Sequence, residues 1–240
     1  MPSERYARQV MLPEIGEEGQ DKLSRGTVGV MGVGGLGSPA SYYLAAAGVG
    51  RIILADLQSP DLTNLNRQIL HWDEDIGARA KTASAAWKLR RFNPEVQIIE
   101  RNGEVTATNI TRVFEGADII LDCLDNFDTR YLLNEHSLSA NIPFVHAAVE
   151  DWHGQVTTIV PGKGPCLRCL FPRAPKKKGL FPILGATAGV FGTLQAAEAV
   201  KLITGAGEPL VSKLLIGDLR SNAWDVIEVA RAEGCPACKK

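Results

Sequence analysis

The sequence predicts a doubly wound α/β fold, with a mainly parallel sheet and added antiparallel strands toward its C-terminal end. Three observations predict it. Over the first 150 residues, apolar runs rich in β-branched residues alternate with helical patterns. Those runs lack polar alternation, as expected of strands covered on both faces. The rhythm then changes, and the last apolar runs, VSKLLIGDL and AWDVIEVA, flank a turn at Ser221-Asn222.

The elements follow in order. TVGVMGV (27–33) reads as a buried strand. Ser38–Ala47 reads as a helix with Ser38 as N-cap, Pro39 at its first position and Gly48 closing it. RIILAD (51–56) is a second strand. Ala78–Phe92 is a helix closed by Asn93-Pro94, and VQIIER follows as a strand. A helix near 107–115 leads to the apolar strand ADIILDCL (117–124). Asp128–Ala140 is helical, and PFVHAAV (143–149) and QVTTIV are strands. A long irregular stretch rich in Pro, Gly and Lys comes next, before a helix at Thr187–Ile203 that ends near Gly205. There are no internal repeats. The expected organisation is one domain, 1–240, with a helical arm at 1–26, a half at 27–150 that carries the strand–helix alternation and a second half at 151–240.

Composition narrows the function. With 240 residues, 45% hydrophobic and 22% charged, a sizeable core is expected. A net charge of -1 offers no electrostatic footprint for nucleic acid or an anionic membrane. No apolar run reaches the roughly 18 residues of a membrane span, and MPSERYARQVMLPEIGEEGQ lacks the apolar core of a signal peptide. The expectation is a cytoplasmic protein whose five cysteines form no stable disulfides. The run KKK at 176–178 reads as a solvated loop face, or as part of a crossover near the site.

Chemistry begins at VGVMGVGGLGSPAS. Gly32-Val33-Gly34-Gly35-Leu36-Gly37 fits GxGxxG between a strand and a helix. Glycines permit the tight turn and a close backbone approach to phosphate, and the helix N-terminus offers N–H groups with partial positive charge. Asp56 ends the second strand about 20 residues further on, placed for ribose hydroxyls. This constellation does not separate NAD from ATP. The following DLTNLNRQIL brings Asn64, Asn66, Arg67 and Gln68 to the ligand edge of such a sheet. Hydride transfer has little use for a cation there, whereas cleavage of a triphosphate builds charge on phosphoryl oxygens. Lys81 lies near the start of the next helix; taken alone it would be a solvated surface lysine. LDCLDNFDTR sets Asp122, Asp125 and Asn126 at a strand end, where a carboxylate can hold a magnesium ion bridging phosphates or can cap the next helix.

Cys166-Leu-Arg-Cys169 and Cys235-Pro-Ala-Cys238 are two CxxC pairs. Four thiolates can close a tetrahedral zinc site with no open position, which makes it structural. A redox CxxC is the rival, weakened by the second pair. The histidines show no metal spacing, and Cys123 reads as a small core residue.

Taken together, GVGGLGS, RIILAD, TNLNRQ, DCLDN, PCLRC, GTLQAAEAVK and GCPAC resemble the ThiF/MoeB/HesA family, the bacterial relatives of ubiquitin-activating enzymes. The likeness runs from RYARQV at residue 5 to the last cysteines. The resemblance implies a Rossmann-like fold and adenylation: ATP and the C-terminal Gly-Gly tail of a ubiquitin-like sulfur carrier, of the thiamine or molybdopterin type, give an acyl-adenylate and pyrophosphate ahead of thiocarboxylate formation. It implies that Gly34, Gly35 and Gly37 line the phosphates and that Asp56 holds the ribose. Arg67 and Lys81 would neutralise phosphate charge beside Asn64 and Gln68, and Asp125 would hold magnesium. Arg8 would reach the triphosphate from a partner subunit of a homodimer. Two departures stand out. Many members carry a cysteine in the crossover; FPRAPKKKGLFPILGATAG has none, and Thr187, its one hydroxyl residue, is a poor nucleophile. Gln58 stands where family members usually have Asp.

Overall fold

The computed structural model describes residues 4–175, 179 and 181–238; the lysines at 176–178 lie outside them. One eight-stranded sheet runs through the molecule in the order β3-β2-β1-β4-β5-β6-β7-β8. Its strands are β1 (Thr27–Met31), β2 (Arg51–Asp56), β3 (Gln97–Asn102), β4 (Ile119–Asp122), β5 (Phe144–Glu150), β6 (His153–Ile159), β7 (Lys213–Asp218) and β8 (Ala223–Glu228). The pairings from β3 through β5 are parallel, and those from β5 to β8 are antiparallel. The expected fold class is what forms.

The unbroken apolar runs are explained by burial on both faces. In β1, β2 and β4, Val28, Val30, Ile52, Leu54, Ile119 and Leu121 enter one core cluster. Met31, Ile53, Ala55 and Ile120, from the same strands, enter the other. Gly29 is part of the second packing, because a Cβ there would lie 2.6 Å from the Phe114 ring.

The helices are α1 (Ala7–Val10), α2 (Gly16–Arg25), α3 (Gly37–Ala47), α4 (Lys81–Phe92), α5 (Ile110–Val113), α6 (Phe127–Ala140), α7 (Leu167–Leu170) and α8 (Gly185–Thr204). Several boundaries differ from expectation, each for a local reason. The first strand stops at Met31 rather than residue 33, because Gly32 turns to φ +96°. Ser38 is not the N-cap: α3 starts one residue earlier, at Gly37, with Leu36 as the cap, and Ser38 is buried within the helix. Pro39 is therefore the third residue of the helix, not the first. α4 begins at Lys81 rather than 78, since Ala80 is extended. The helix near 107–115 shrinks to α5, and the strand expected over 117–124 is β4. The irregular stretch contains the unexpected turn α7. α3 and α8 end at Gly48 and Gly205, both in the left-handed conformation that glycine adopts freely.

Two features position the site. Sequential strands depart in opposite directions from β1 and β4, so the loops at 32–36 and 123–126 open a crevice at the switch point of the sheet. α8 closes one side of it. A Cβ on Gly192 would lie 2.3 Å from the Leu36 carbonyl, so the bare helix face presses on the glycine turn.

Candidate active site

The glycine turn is held from three sides. Gly32 has φ +96°, and a Cβ there would strike the Cys123 carbonyl at 2.6 Å. A Cβ on Gly37 would lie 2.0 Å from the Gly32 carbonyl, so this glycine lets the start of α3 sit against the strand end. Asp56 secures the turn to β2. Its Oδ2 accepts from Val33 N–H at 2.8 Å, and its Oδ1 accepts from Gln58 N–H at 2.8 Å. His71 supports the Val33 carbonyl, with Nε2 at 2.8 Å. Among the described residues, none accepts from the backbone N–H of Gly34 or Gly35. Those groups, at the start of α3, form a cradle suited to an anion.

Polar side chains line the same edge. The turn Leu62–Asn64 is capped by Asp61, whose Oδ1 accepts from Thr63 N–H at 2.9 Å. The Asn64 carbonyl accepts from the N–H groups of Arg67 and Gln68. Arg67 donates to the Thr63 carbonyl and to Asn66 Oδ1, both at 2.9 Å. Its aliphatic stem passes 3.5 Å from where a Gly35 Cβ would lie. Gln68 is buried beside Gly34, and its Oε1 has no partner among the described residues. A buried acceptor left unmade costs about 1–3 kcal/mol, so the site retains hydrogen-bonding capacity.

Lys81 is not a solvated surface residue. It is 3% exposed, and its Nζ donates to Gln58 Oε1 at 2.7 Å. Burial pulls its pKa below the ordinary lysine value, while Asp56, Asp125 and Asp61 pull it up and Arg67 pushes it down. These couplings bring Asp56, Arg67, Lys81 and Asp125 into one electrostatic neighbourhood. Asp125 is exposed at the start of α6 and is freed from capping, because Asn126 takes that role with Oδ1 accepting from Thr129 N–H at 2.9 Å. One carboxylate completed by substrate phosphates suits the habit of magnesium.

Sequence reasoning offered Asp122 as a magnesium carboxylate or helix cap, but it is fully buried and braces the crevice through charged partners that the sequence did not reveal. Asp122 Oδ2 lies 2.6 Å from His146 Nδ1 and 3.4 Å from Arg130 Nε, while its Oδ1 accepts from Leu124 N–H. Arg130 also donates to the Leu124 carbonyl. The segment leading to Asp125 is thereby tied to α6 and β5. Behind the glycine turn, His71 Nδ1 meets Ser84 Oγ, which bonds Asp75, and Asp75 pairs with the buried Lys88. An acid inside an apolar strand was the available signal for Asp122. Nothing in the local pattern marks Asp75 or Lys88.

The four CxxC cysteines converge. Their sulfurs all lie within 4.8 Å of one another, with Cys166–Cys169 at 3.8 Å, Cys166–Cys235 at 3.7 Å and Cys169–Cys238 at 3.4 Å. Tetrahedral Zn–S bonds of about 2.3 Å put sulfurs about 3.8 Å apart, so the set fits zinc. Burial pushes the Cys166 thiol up. Burial also raises Cys235, but the N–H groups of Cys238 and Ala237 and the neighbouring thiols bring it down to about 7. All five cysteines are free, and Cys123 is a core residue donating to Gln195 Oε1.

Arg8 does not join the crevice of its own chain. The segment carrying it is fixed at the far end of α3, where Gln9 donates to the Ala47 carbonyl at 3.0 Å and Tyr6 donates to Glu95 at 2.9 Å. An 11-residue helix, at about 1.5 Å per residue, separates that end from the glycine turn. Thr187 is fully buried and donates to the Asp151 carbonyl, so it presents no nucleophile.

Fold and site thus define a protein of the nucleotide-binding class, a doubly wound sheet with a buried lysine at its switch-point crevice. The chain belongs to the ThiF family, which it matches over residues 6–237. It is 41% identical to the SAMP-activating enzyme E1 of Haloferax volcanii, over 98% of this chain and 88% of that protein. It is 38% identical to the sulfur carrier protein adenylyltransferase of Thermus thermophilus, over 98% and 90%. Among solved structures, E. coli MccB with MccA-N7isoASN superposes with a TM-score of 0.89 at 27% identity, covering 98% of this chain and 75% of that one. MccB has also been solved with ATP. Among the described residues, no helix is long and apolar enough to cross a membrane.

Proposed function

We infer that this chain is an ATP-dependent adenylyltransferase acting on the C-terminal glycine carboxylate of a small ubiquitin-like sulfur carrier of the thiamine or molybdopterin type. The observation that carries the reading is Lys81, a lysine 3% exposed at the phosphate crevice with Arg67 alongside. Burying an ammonium is costly unless an anion uses it. A dinucleotide also presents phosphates, but hydride transfer builds no new charge on them, whereas cleavage of a triphosphate does.

The carrier carboxylate attacks the α-phosphorus of ATP. A C–O–P bond forms, the α–β phosphoanhydride bond breaks, and pyrophosphate leaves. The backbone of Gly34 and Gly35 and the start of α3 at Gly37 cradle phosphate, and Asp56 holds the ribose with its remaining lone pairs. Arg67 and Lys81 neutralise charge as the bond breaks, with Asn64 and Gln68 beside them. Asp125 would hold a magnesium ion, which supplies further charge neutralisation on the phosphates. Arg8 completes the site from the second copy of a homodimer, since it lies at the wrong end of α3 to serve its own chain. Cys166, Cys169, Cys235 and Cys238 hold a structural zinc that ties α7 to the C-terminal segment. The half from residue 151 onward receives the carrier, and the whole chain acts as one domain in the cytoplasm. The crossover has no cysteine and Thr187 is buried, so the acyl-adenylate is passed on without a covalent enzyme intermediate.

ATP–pyrophosphate exchange tests the reading. It is measured with the protein alone, with a thiamine-type carrier and with a molybdopterin-type carrier. Exchange is expected only with a carrier, and Arg67→Ala should lower it by roughly 100- to 1,000-fold. Full exchange in that variant would point to a scaffold role with contaminating activity.

A further inference from the structure

Gln58 makes three separate contacts at the crevice. Its N–H donates to Asp56 Oδ1 at 2.8 Å. Its carbonyl accepts from the Lys81 N–H at 2.9 Å, fixing the first residue of α4. Its side-chain Oε1 accepts from Lys81 Nζ at 2.7 Å. One exposed residue therefore ties the acid at the end of β2 to both the backbone and the ammonium of the buried lysine.

The chemistry of the acceptor matters. An amide oxygen orients an ammonium without cancelling its charge, whereas a carboxylate at this distance would form an ion pair. Asp56, Asp61 and Asp125 already face Lys81, and Arg67 is the other cation coupled to it. A fourth carboxylate would be aimed at the place where a polyanionic phosphate chain binds.

We propose that Gln58 is a positioning residue: it aims Lys81 at the nucleotide phosphates through a neutral acceptor and so keeps that lysine's charge available to ATP. The proposal rests on the adenylation reading for its purpose, but not for its test.

The test is a double-mutant cycle read in the dissociation constant for ATP, measured by calorimetry at fixed magnesium. No carrier is needed, so choosing the wrong carrier leaves the result intact. Gln58→Met keeps length and neutrality but removes the acceptor; it should weaken ATP binding about tenfold, the scale of a lost hydrogen bond to a charged group. In the Lys81→Ala background the same change should have almost no effect, because residues that act through one another are not additive. Gln58→Glu, which retains an acceptor, should also weaken ATP binding about tenfold, as one added unit charge near phosphate does. Where carrier-dependent exchange is available, Gln58→Glu should raise KM for ATP more than it lowers kcat. Additive effects of Gln58→Met and Lys81→Ala would overturn the proposal, as would wild-type affinity in Gln58→Met. Wild-type affinity in Gln58→Glu would overturn the requirement for neutrality.

Discussion

The Nε2 of His71 lies 2.8 Å from the carbonyl oxygen of Val33. A histidine 38 positions away thus fixes the middle of the glycine turn, and its other nitrogen passes that restraint to Ser84 and Asp75. A carbonyl is an obligate acceptor, so Nε2 carries the proton. His71→Ala should destabilise the fold by about 1–3 kcal/mol through the orphaned Val33 carbonyl and the cavity. It should also weaken ATP binding, because the N–H cradle next to Val33 loses its support. Urea denaturation and calorimetry measure the two effects; unchanged ATP affinity in a folded variant would remove the coupling between them.

Deeper in the same network, Asp75 and Lys88 are both buried, Asp75 completely. Breaking such a pair leaves an uncompensated charge and typically costs 3–5 kcal/mol, whereas replacing both partners by apolar groups is far milder. Asp75→Asn should therefore be severely destabilising, and combining it with Lys88→Met should recover most of the loss. The urea midpoints of the single and double variants decide this. A double variant no better than the single would mean that the ion pair itself, rather than its imbalance, stabilises the fold.

Acid should loosen the protein before its carboxylates titrate. Burial holds His71, His136 and His146 below the ordinary imidazole value of 6.5, with Asp122 pulling His146 partly back. As pH falls through that value, the unfolded chain takes up protons that the folded chain refuses. More protons on the unfolded state means that stability rises with pH, so it is lost between about pH 7 and pH 5. His136 is the simplest probe, since its buried Nε2 has no partner among the described residues. His136→Leu should flatten the dependence, because one of the three contributing groups is removed. A urea midpoint that rises on acidification over this range would contradict the account.

The strands and their order of use were legible because each buried strand is apolar on both faces, and RIILAD coincides with β2. What escaped the sequence depended on distant partners. Lys81 looks like a surface residue until Gln58, 23 positions earlier, folds back over it. Asp75 and Lys88 sit 13 apart with no periodic relation, so their pairing exists only in three dimensions. Ser38 failed as a cap because Gly37, lacking a Cβ, lets the helix begin against the Gly32 carbonyl. The CxxC pairs were legible because the ligand spacing within each knuckle is local. α7, which carries Cys169, was hidden by its four-residue length.

The cysteine tetrad should prove essential to the region around it. A structural zinc contributes directly to folding free energy. Protein prepared without chelator should carry one zinc per chain, and extraction should lower the melting temperature by on the order of 10 °C. Cys235→Ser should lose the metal and reproduce the drop. Metal-free protein with an unchanged melting temperature would leave the four thiols as a cluster without a structural ion.

The position of Arg8 makes a prediction that separates a shared site from a self-contained one. Gln9 and Tyr6 pin its segment near Ala47 and Glu95, away from the glycine turn of the same chain. If a second copy supplies Arg8, then Arg8→Ala and Lys81→Ala damage opposite halves of each composite site. Either variant alone should be inactive in pyrophosphate exchange. Mixed and allowed to exchange subunits, they should form dimers in which one site has lost both groups and the other has kept both. Half of the dimers are mixed at equal concentration, so activity should return to roughly a quarter of the wild-type value. If Arg8 acted within its own chain, no mixture could restore an intact site, and the activity would stay at that of the separate variants.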